Sequence, residues 1–164
     1  MKSPICETCI KADILCSGCE ARLASGQVSE TDLQVARELY EMEKEGKADK
    51  PTFDKTVTVD GLVIIQTSGR VADLVGKGGK LVKDLSERLG KKVRVVSKGD
   101  AKSTISDLVY PVRLRGVNKV FTTKGDHTKI ILDKKDMKKV SMSEETLRRA
   151  IKQLLGVEAQ VGFD

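Results

Sequence analysis

The sequence predicts an α+β protein: two consecutive units of the order α-β-β-α-α-β, behind a small cysteine-rich start. Three observations carry this. All four cysteines fall near the beginning, as Cys6-Glu7-Thr8-Cys9 and Cys16-Ser17-Gly18-Cys19. A glycine turn, Gly76-Lys77-Gly78-Gly79, joins two stretches with helical apolar spacing, and a β-branched run stands outside each. The chain also resembles itself when slid by 66 positions without gaps. Together these divide the 164 residues into 1–28, 29–99 and 100–164.

Composition sets outer limits. Apolar residues are 39% and charged residues 33%, as expected of a soluble globular chain, and no apolar run reaches the eighteen or so residues of a membrane span. Met1-Lys2-Ser3-Pro4 leads directly into cysteines and charges with no secretory pattern, so the expected location is the cytoplasm, with no membrane partner. Aromatics are 3%, with no Trp, which argues against base stacking on an aromatic platform. The net charge of +6 is unevenly spread. Residues 1–49 hold six Lys/Arg against ten Asp/Glu (−4), and residues 50–164 hold twenty-four against fourteen (+10). A basic part this distinct favours a polyanion as partner over a merely solvated face.

In the cysteine segment each C-x-x-C can turn two thiolates toward one point, and two such knuckles supply the four sulfurs of a tetrahedral zinc. The six intervening residues leave room for a small hairpin. Disulfides and an iron–sulfur cluster are the rivals; disulfides are disfavoured in most cytosols. The expected cofactor is one structural zinc on Cys6, Cys9, Cys16 and Cys19, because a segment this short buries little core and metal binding supplies its folding energy. Four thiolates leave no open position for catalysis.

Ser29-Glu30-Thr31-Asp32 opens a helix, Ser29 as N-cap and acids in the first turn, with Leu33, Ala36, Leu39 and Tyr40 on one face and an end near Gly46. Lys50-Pro51 is a connector. Lys55–Val59 alternates as a strand, Asp60-Gly61 is a hairpin turn, and Val63–Gln66 is the next strand. Val71, Leu74 and Val75 mark a helix before the glycine turn. Leu81, Val82, Leu85 and Leu89 mark another after it, and Lys92–Val96 is a strand. Glycine permits a tight turn and close approach of another backbone. The second helix begins at the turn, so free N–H groups and the positive dipole end point outward there, beside Lys77, Lys80 and Lys83. That combination suits a phosphate chain. The P-loop spacing and its Ser/Thr are absent, and Leu81 occupies the third glycine position of a dinucleotide fingerprint.

The 66-residue slide pairs Asp60 with Asp126, Ile64 with Ile130, Ile65 with Ile131, Leu81 with Leu147, Leu89 with Leu155, Gly90 with Gly156 and Val95 with Val161. It predicts a short helix over 101–108, strands over 112–122 and 128–133, helices over 134–139 and 143–155, and a strand over 157–163. His127, the sole histidine, falls in the predicted hairpin turn. The glycine turn itself does not recur: it aligns with Met142-Ser143-Glu144-Glu145, an N-cap followed by two acids. Carboxylates would occupy the dipole end a phosphate needs. The second unit is expected to keep the fold and lose the clamp. Lys134, Lys135, Lys138 and Lys139 are either a solvated face or an electrostatic contact to phosphate.

Strand, helix, G-x-x-G, helix, strand resembles the core of the K homology (KH) domain, and 29–97 in full resembles its type II, prokaryotic form. The tandem resembles the RNA-binding half of the transcription factor NusA, most of all the short archaeal NusA-like proteins, over about residues 50–164. Leu74-Val75-Gly76-Lys77-Gly78-Gly79-Lys80 is the most specific piece. The cysteine-rich start resembles the zinc-knuckle extension of some archaeal KH proteins. The S1 domain and polymerase-binding N-terminal domain of bacterial NusA have no counterpart in the sequence. The resemblance implies single-stranded RNA held at its backbone by Gly76, Lys77, Gly78 and Gly79, with Lys80, Lys83 and Arg70 adding charge. It also implies a role in transcription elongation or termination.

No nucleophile–base pair and no metal site with an open position is legible, so the chain is not expected to be an enzyme. Besides RNA, RNA polymerase or the ribosome are the expected partners. The alternatives are an adaptor whose KH units are scaffold and, remotely, a redox enzyme using the cysteines. Oligomeric state and RNA sequence preference are not encoded legibly.

Overall fold

The computed structural model describes residues 1–12 and 14–164, and its chain forms two compact units, Met1–Lys98 and Gly99–Asp164. Among the described residues each contains one three-stranded sheet, and seven α-helices are distributed between them.

The cysteine segment is largely helical. It forms two short helices, α1 (Glu7–Lys11) and α2 (Ser17–Ser25). The reason is local. Cys6 and Cys16 are both extended and stand as N-caps, which puts Cys9 and Cys19 three residues into the helices. The Cys16 sulfur accepts from the Cys19 N–H, as a serine oxygen would in an ordinary cap. Nor does the segment stand apart. Ile5, Cys9, Ile10 and Cys19 share one buried cluster with Val35, Leu39 and Met42 of α3 (Glu30–Lys44). The chain start is pinned as well: Lys2 N–H donates to Pro51 O (3.1 Å) and Phe53 N–H to Lys2 O (2.9 Å).

Helix α3 starts at a capping box. Ser29 Oγ accepts from Asp32 N–H (3.0 Å), and Asp32 accepts from Ser29 N–H (2.9 Å). The other Asp32 oxygen accepts from both Thr56 N–H and Thr56 Oγ1, each at 2.7 Å, which ties the helix to β1 (Lys55–Val59). Asp60 and Gly61, both with positive φ, turn the chain into β2 (Leu62–Thr67). β2 pairs antiparallel with β1 and parallel with β3 (Lys92–Ser97). Between β2 and β3 run α4 (Val71–Val75), a single 3₁₀ turn over Lys77–Gly79, and α5 (Lys80–Leu89). Leu74, Leu81 and Leu85 carry this pair into the core, and Gly90, left-handed, ends α5. Arg88 bridges α5 to α3 through Glu38 (3.6 Å) and Glu45 (2.5 Å).

The second unit runs α6 (Ala101–Val109), β4 (Leu114–Thr122), β5 (Gly125–Leu132), α7 (Glu144–Leu155) and β6 (Ala159–Phe163), with strand order β4-β5-β6. Three expectations are corrected here. The hairpin turn is Thr123-Lys124, so Asp126 and His127 lie within β5, opposite Phe121 and Val120. Residues 134–139 form a 3₁₀ segment, not an α-helix, held by Asp133 capping Lys135 N–H (2.9 Å). The gapless 66-residue correspondence keeps the order of elements but places β1 across the Thr123-Lys124 turn, and it fails in register: Ile65 pairs with Val95, yet Ile130 pairs with Val161, one residue off. The long β4–β5 ladder with its bulge between Leu114 and Gly116 has no counterpart in the five-residue β1.

Candidate functional site

Two groups of residues stand out in the first unit. One is the glycine turn. Gly76 closes α4 by donating its N–H to Ala72 O (2.9 Å), then takes φ 77°, ψ 169°, a conformation open in practice only to glycine. A Cβ there would meet Leu81 Cβ at 2.7 Å and Leu81 N at 2.9 Å. Gly78 and Gly79 are left-handed, and a Cβ at either would meet nothing within 4 Å. So the first glycine faces inward to let α5 approach, and the last two face outward and keep the turn bare. Gly79 N–H bonds to Gly76 O (3.1 Å), and α5 begins with no side-chain cap.

Lys77, Lys80 and Lys83 are exposed, and among the described residues none has an acidic partner. Arg70, expected in the same set, is instead paired with Asp73 at 3.1 Å. A cleft of about 430 Å³ lies beside the turn, lined by Lys47, Gly76, Lys77, Lys80, Leu81 and Asp84. Lys83 and Arg70 do not line it. Lys47 was not expected: it sits in what the sequence presents as a connector after α3. It reaches the cleft through ion pairs to Glu45 (3.2 Å) and Asp84 (3.3 Å); the Glu45 carboxylate foremost, then Asp84, hold its ammonium protonated above its ordinary range.

The corresponding end of α7 is closed. Ser143 Oγ accepts from Thr146 N–H (3.1 Å), and Glu145 pairs with Arg149 (2.6 Å). The start of α5 thus lacks a side-chain cap, whereas α7 has a capped, acidic start.

The second group is the cysteine cluster. The four Sγ atoms lie within 4.8 Å of one another, with Cys6–Cys9 at 3.2 Å, Cys6–Cys19 at 3.6 Å and Cys6–Cys16 at 3.9 Å. All are beyond disulfide length. Backbone N–H groups point at the sulfurs: Cys16 N–H donates to Cys9 Sγ (3.0 Å) and Cys19 N–H to Cys16 Sγ (3.4 Å). The Cys19 N–H, followed by bonds from neighbouring thiols, draws the Cys16 thiol down to about 6. At Cys9 the Cys16 N–H favours the thiolate, but the neighbouring thiols and burial together outweigh it and push that thiol up to about 12. Crowded sulfurs divide in this way when they compete for protons, and a cation among them removes the competition. Arg22, unremarked in the sequence, donates Nη2 to Cys19 Sγ (3.0 Å) and Nη1 to Pro4 O (3.1 Å). Its place at i+3 from Cys19, on the same helix face, was the available signal. The four cysteines are compatible with one structural metal ion.

Among the described residues no helix is long and apolar enough to cross a membrane. No protein-family model and no curated protein matches the chain. Among solved structures it is similar to APE1850, known from a crystal structure, at 25% identity and a TM-score of 0.49, over 64% of this chain and 80% of that one.

Proposed function

We propose that this chain binds single-stranded RNA through the Gly76–Gly79 turn, as a KH protein of the NusA-like kind. The supporting observation is the division of labour among the glycines. Gly76 is sterically required by Leu81, while Gly78 and Gly79 leave an open, uncapped helix start beside Lys77, Lys80 and Lys83. A nucleic-acid backbone needs close approach to bare N–H groups, with cations at the mouth. Lys80 extends the positive rim along the cleft, where Lys47 is neutralised by Glu45 and Asp84. The first unit carries this interaction, and the acid-capped start of α7 does not. The protein acts by binding rather than catalysis, in transcription elongation or termination, with RNA polymerase or the ribosome as the assembly it serves.

The cysteine cluster holds zinc in this reading. A tetrahedral zinc with Zn–S of about 2.3 Å places its sulfurs about 3.8 Å apart, and the observed separations bracket that value. With four thiolates the centre carries −2, which Arg22 partly offsets.

The test is the double substitution Lys77→Asp with Gly78→Asp. Position 78 is open and left-handed, a conformation aspartate tolerates better than most residues, so the fold survives. Two carboxylates would then stand where phosphate must lie. Fluorescence anisotropy with a labelled single strand should show loss of most binding, and circular dichroism an unchanged spectrum. Unaltered affinity would refute the proposal.

A further inference from the structure

The β4–β5 hairpin is the feature that the glycine turn leaves unused. Phe121 near its tip is 74% exposed, whereas Phe53 is buried. The ladder fixes what surrounds it. Phe121 is opposite Asp126, and Lys119 is opposite Thr128. Strand residues two apart share a face about 7 Å from each other, so Lys119 and Phe121 lie side by side. The same face carries Thr128, Ile130 and Leu132, all buried, on β5. A core-facing row therefore runs outward until its last apolar member, Phe121, stands in solvent. Lys124 occupies the turn beside it, and Lys129 lies on the reverse face, opposite Asn118. Lys119, Lys124 and Lys129 are exposed and have no acidic partner among the described residues; Arg115 is engaged by Asp133 (3.6 Å). Asp126 is the only acid between Leu114 and Leu132.

We infer that the tip of this hairpin is a second RNA contact, in which a base stacks on Phe121 while Lys119 and Lys124 hold the flanking phosphates. An exposed aromatic ring among unpaired cations is the pairing that single-stranded nucleic acid rewards: a π face for the base and positive charge for the chain. The charge selects this occupant over an apolar protein surface, which would leave Lys119 and Lys124 unmatched. This revises the expectation that stacking plays no part, and it gives the second unit a share in binding that its capped α7 does not supply. It rests on the proposed RNA function but not on the glycine turn.

The experiment uses the full metal-loaded chain and fluorescein-labelled oligouridylates of twenty and of five nucleotides. A glycine turn covers about four nucleotides, so the short strand fills that turn without needing the hairpin. Phe121→Ala should weaken the long strand about 5-fold to 150-fold, the range of one base–aromatic stack, and leave the short strand unchanged. Phe121→Trp should retain affinity. Because the chain has no other Trp, the introduced indole's emission should be quenched as the long strand saturates. Unquenched emission at saturation, or wild-type affinity in Phe121→Ala, overturns the inference. Loss of short-strand binding in the Lys77/Gly78 double variant would still uphold the glycine turn. The converse result, Phe121 required and the turn dispensable, upholds the hairpin alone. Failure of the wild-type chain to bind either strand overturns both.

Discussion

Gly76 lies directly against Leu81: a methyl group on the glycine would come within 2.7 Å of the leucine Cβ. This one contact sets the separation of α4 and α5 and so the shape of the turn between them. Gly76→Ala should destabilise the first unit by about 2–4 kcal/mol, combining a glycine-only backbone conformation with overpacking against a buried leucine. Gly78→Ala should cost only about 1–2 kcal/mol, the left-handed penalty alone. Chemical denaturation separates the two, and equal costs would mean that the close approach to Leu81 is not limiting.

Asp32 serves two roles at once, capping α3 and receiving both donors of Thr56. Asp32→Ala should therefore exceed an ordinary cap loss of about 1 kcal/mol and reach about 2–4 kcal/mol, since the Thr56 N–H loses its acceptor. Thr56→Val removes only the hydroxyl bond and should cost less. A loss no larger than that of a simple cap in Asp32→Ala would show that the Thr56 groups find water instead.

Purified protein should contain about one zinc per chain. Chelation should lower the unfolding temperature of the first unit, because Ile5, Cys9, Ile10 and Cys19 belong to its core, and leave the second unit unchanged. Arg22→Ala should weaken metal retention about 10-fold, as loss of a group bonded to a ligand does. Stoichiometric iron with visible absorbance, or four freely titrating thiols, would reject the zinc assignment.

Asp136 is buried and accepts from Arg113 through both its side chain (2.8 Å) and its backbone N–H (3.0 Å). The Arg113 side chain foremost, then its N–H, hold the carboxyl well below the usual carboxylate range despite burial. A carboxylate with a depressed folded pKa stabilises above its unfolded value of about 3.9 and loses that contribution as pH falls toward the folded one. Wild type should be more stable than Asp136→Asn at pH 7, and the gap should narrow progressively below about pH 4. A gap that stays constant down to pH 2 would show that Arg113 does not discriminate the charged form.

What the sequence determined by itself was whatever depends on neighbours along the chain. Helical spacing of Leu81, Val82, Leu85 and Leu89, the Asp60-Gly61 turn and the Ser29 cap are local instructions, and each element appears where they place it. The two C-x-x-C knuckles and the glycine turn were legible for the same reason, since their geometry is made within four residues. Tertiary structure decided which residues meet across distance. It paired Lys47 with Asp84 and brought it to the glycine turn, and it carried the Arg22 guanidinium to the Pro4 carbonyl. It also moved the second hairpin turn to Thr123-Lys124 and shifted the register of β6 by one residue. Strand register depends on which rows of side chains find the core, and the ends of long charged side chains go where opposite charge folds within reach. Neither is written in the spacing of any single segment.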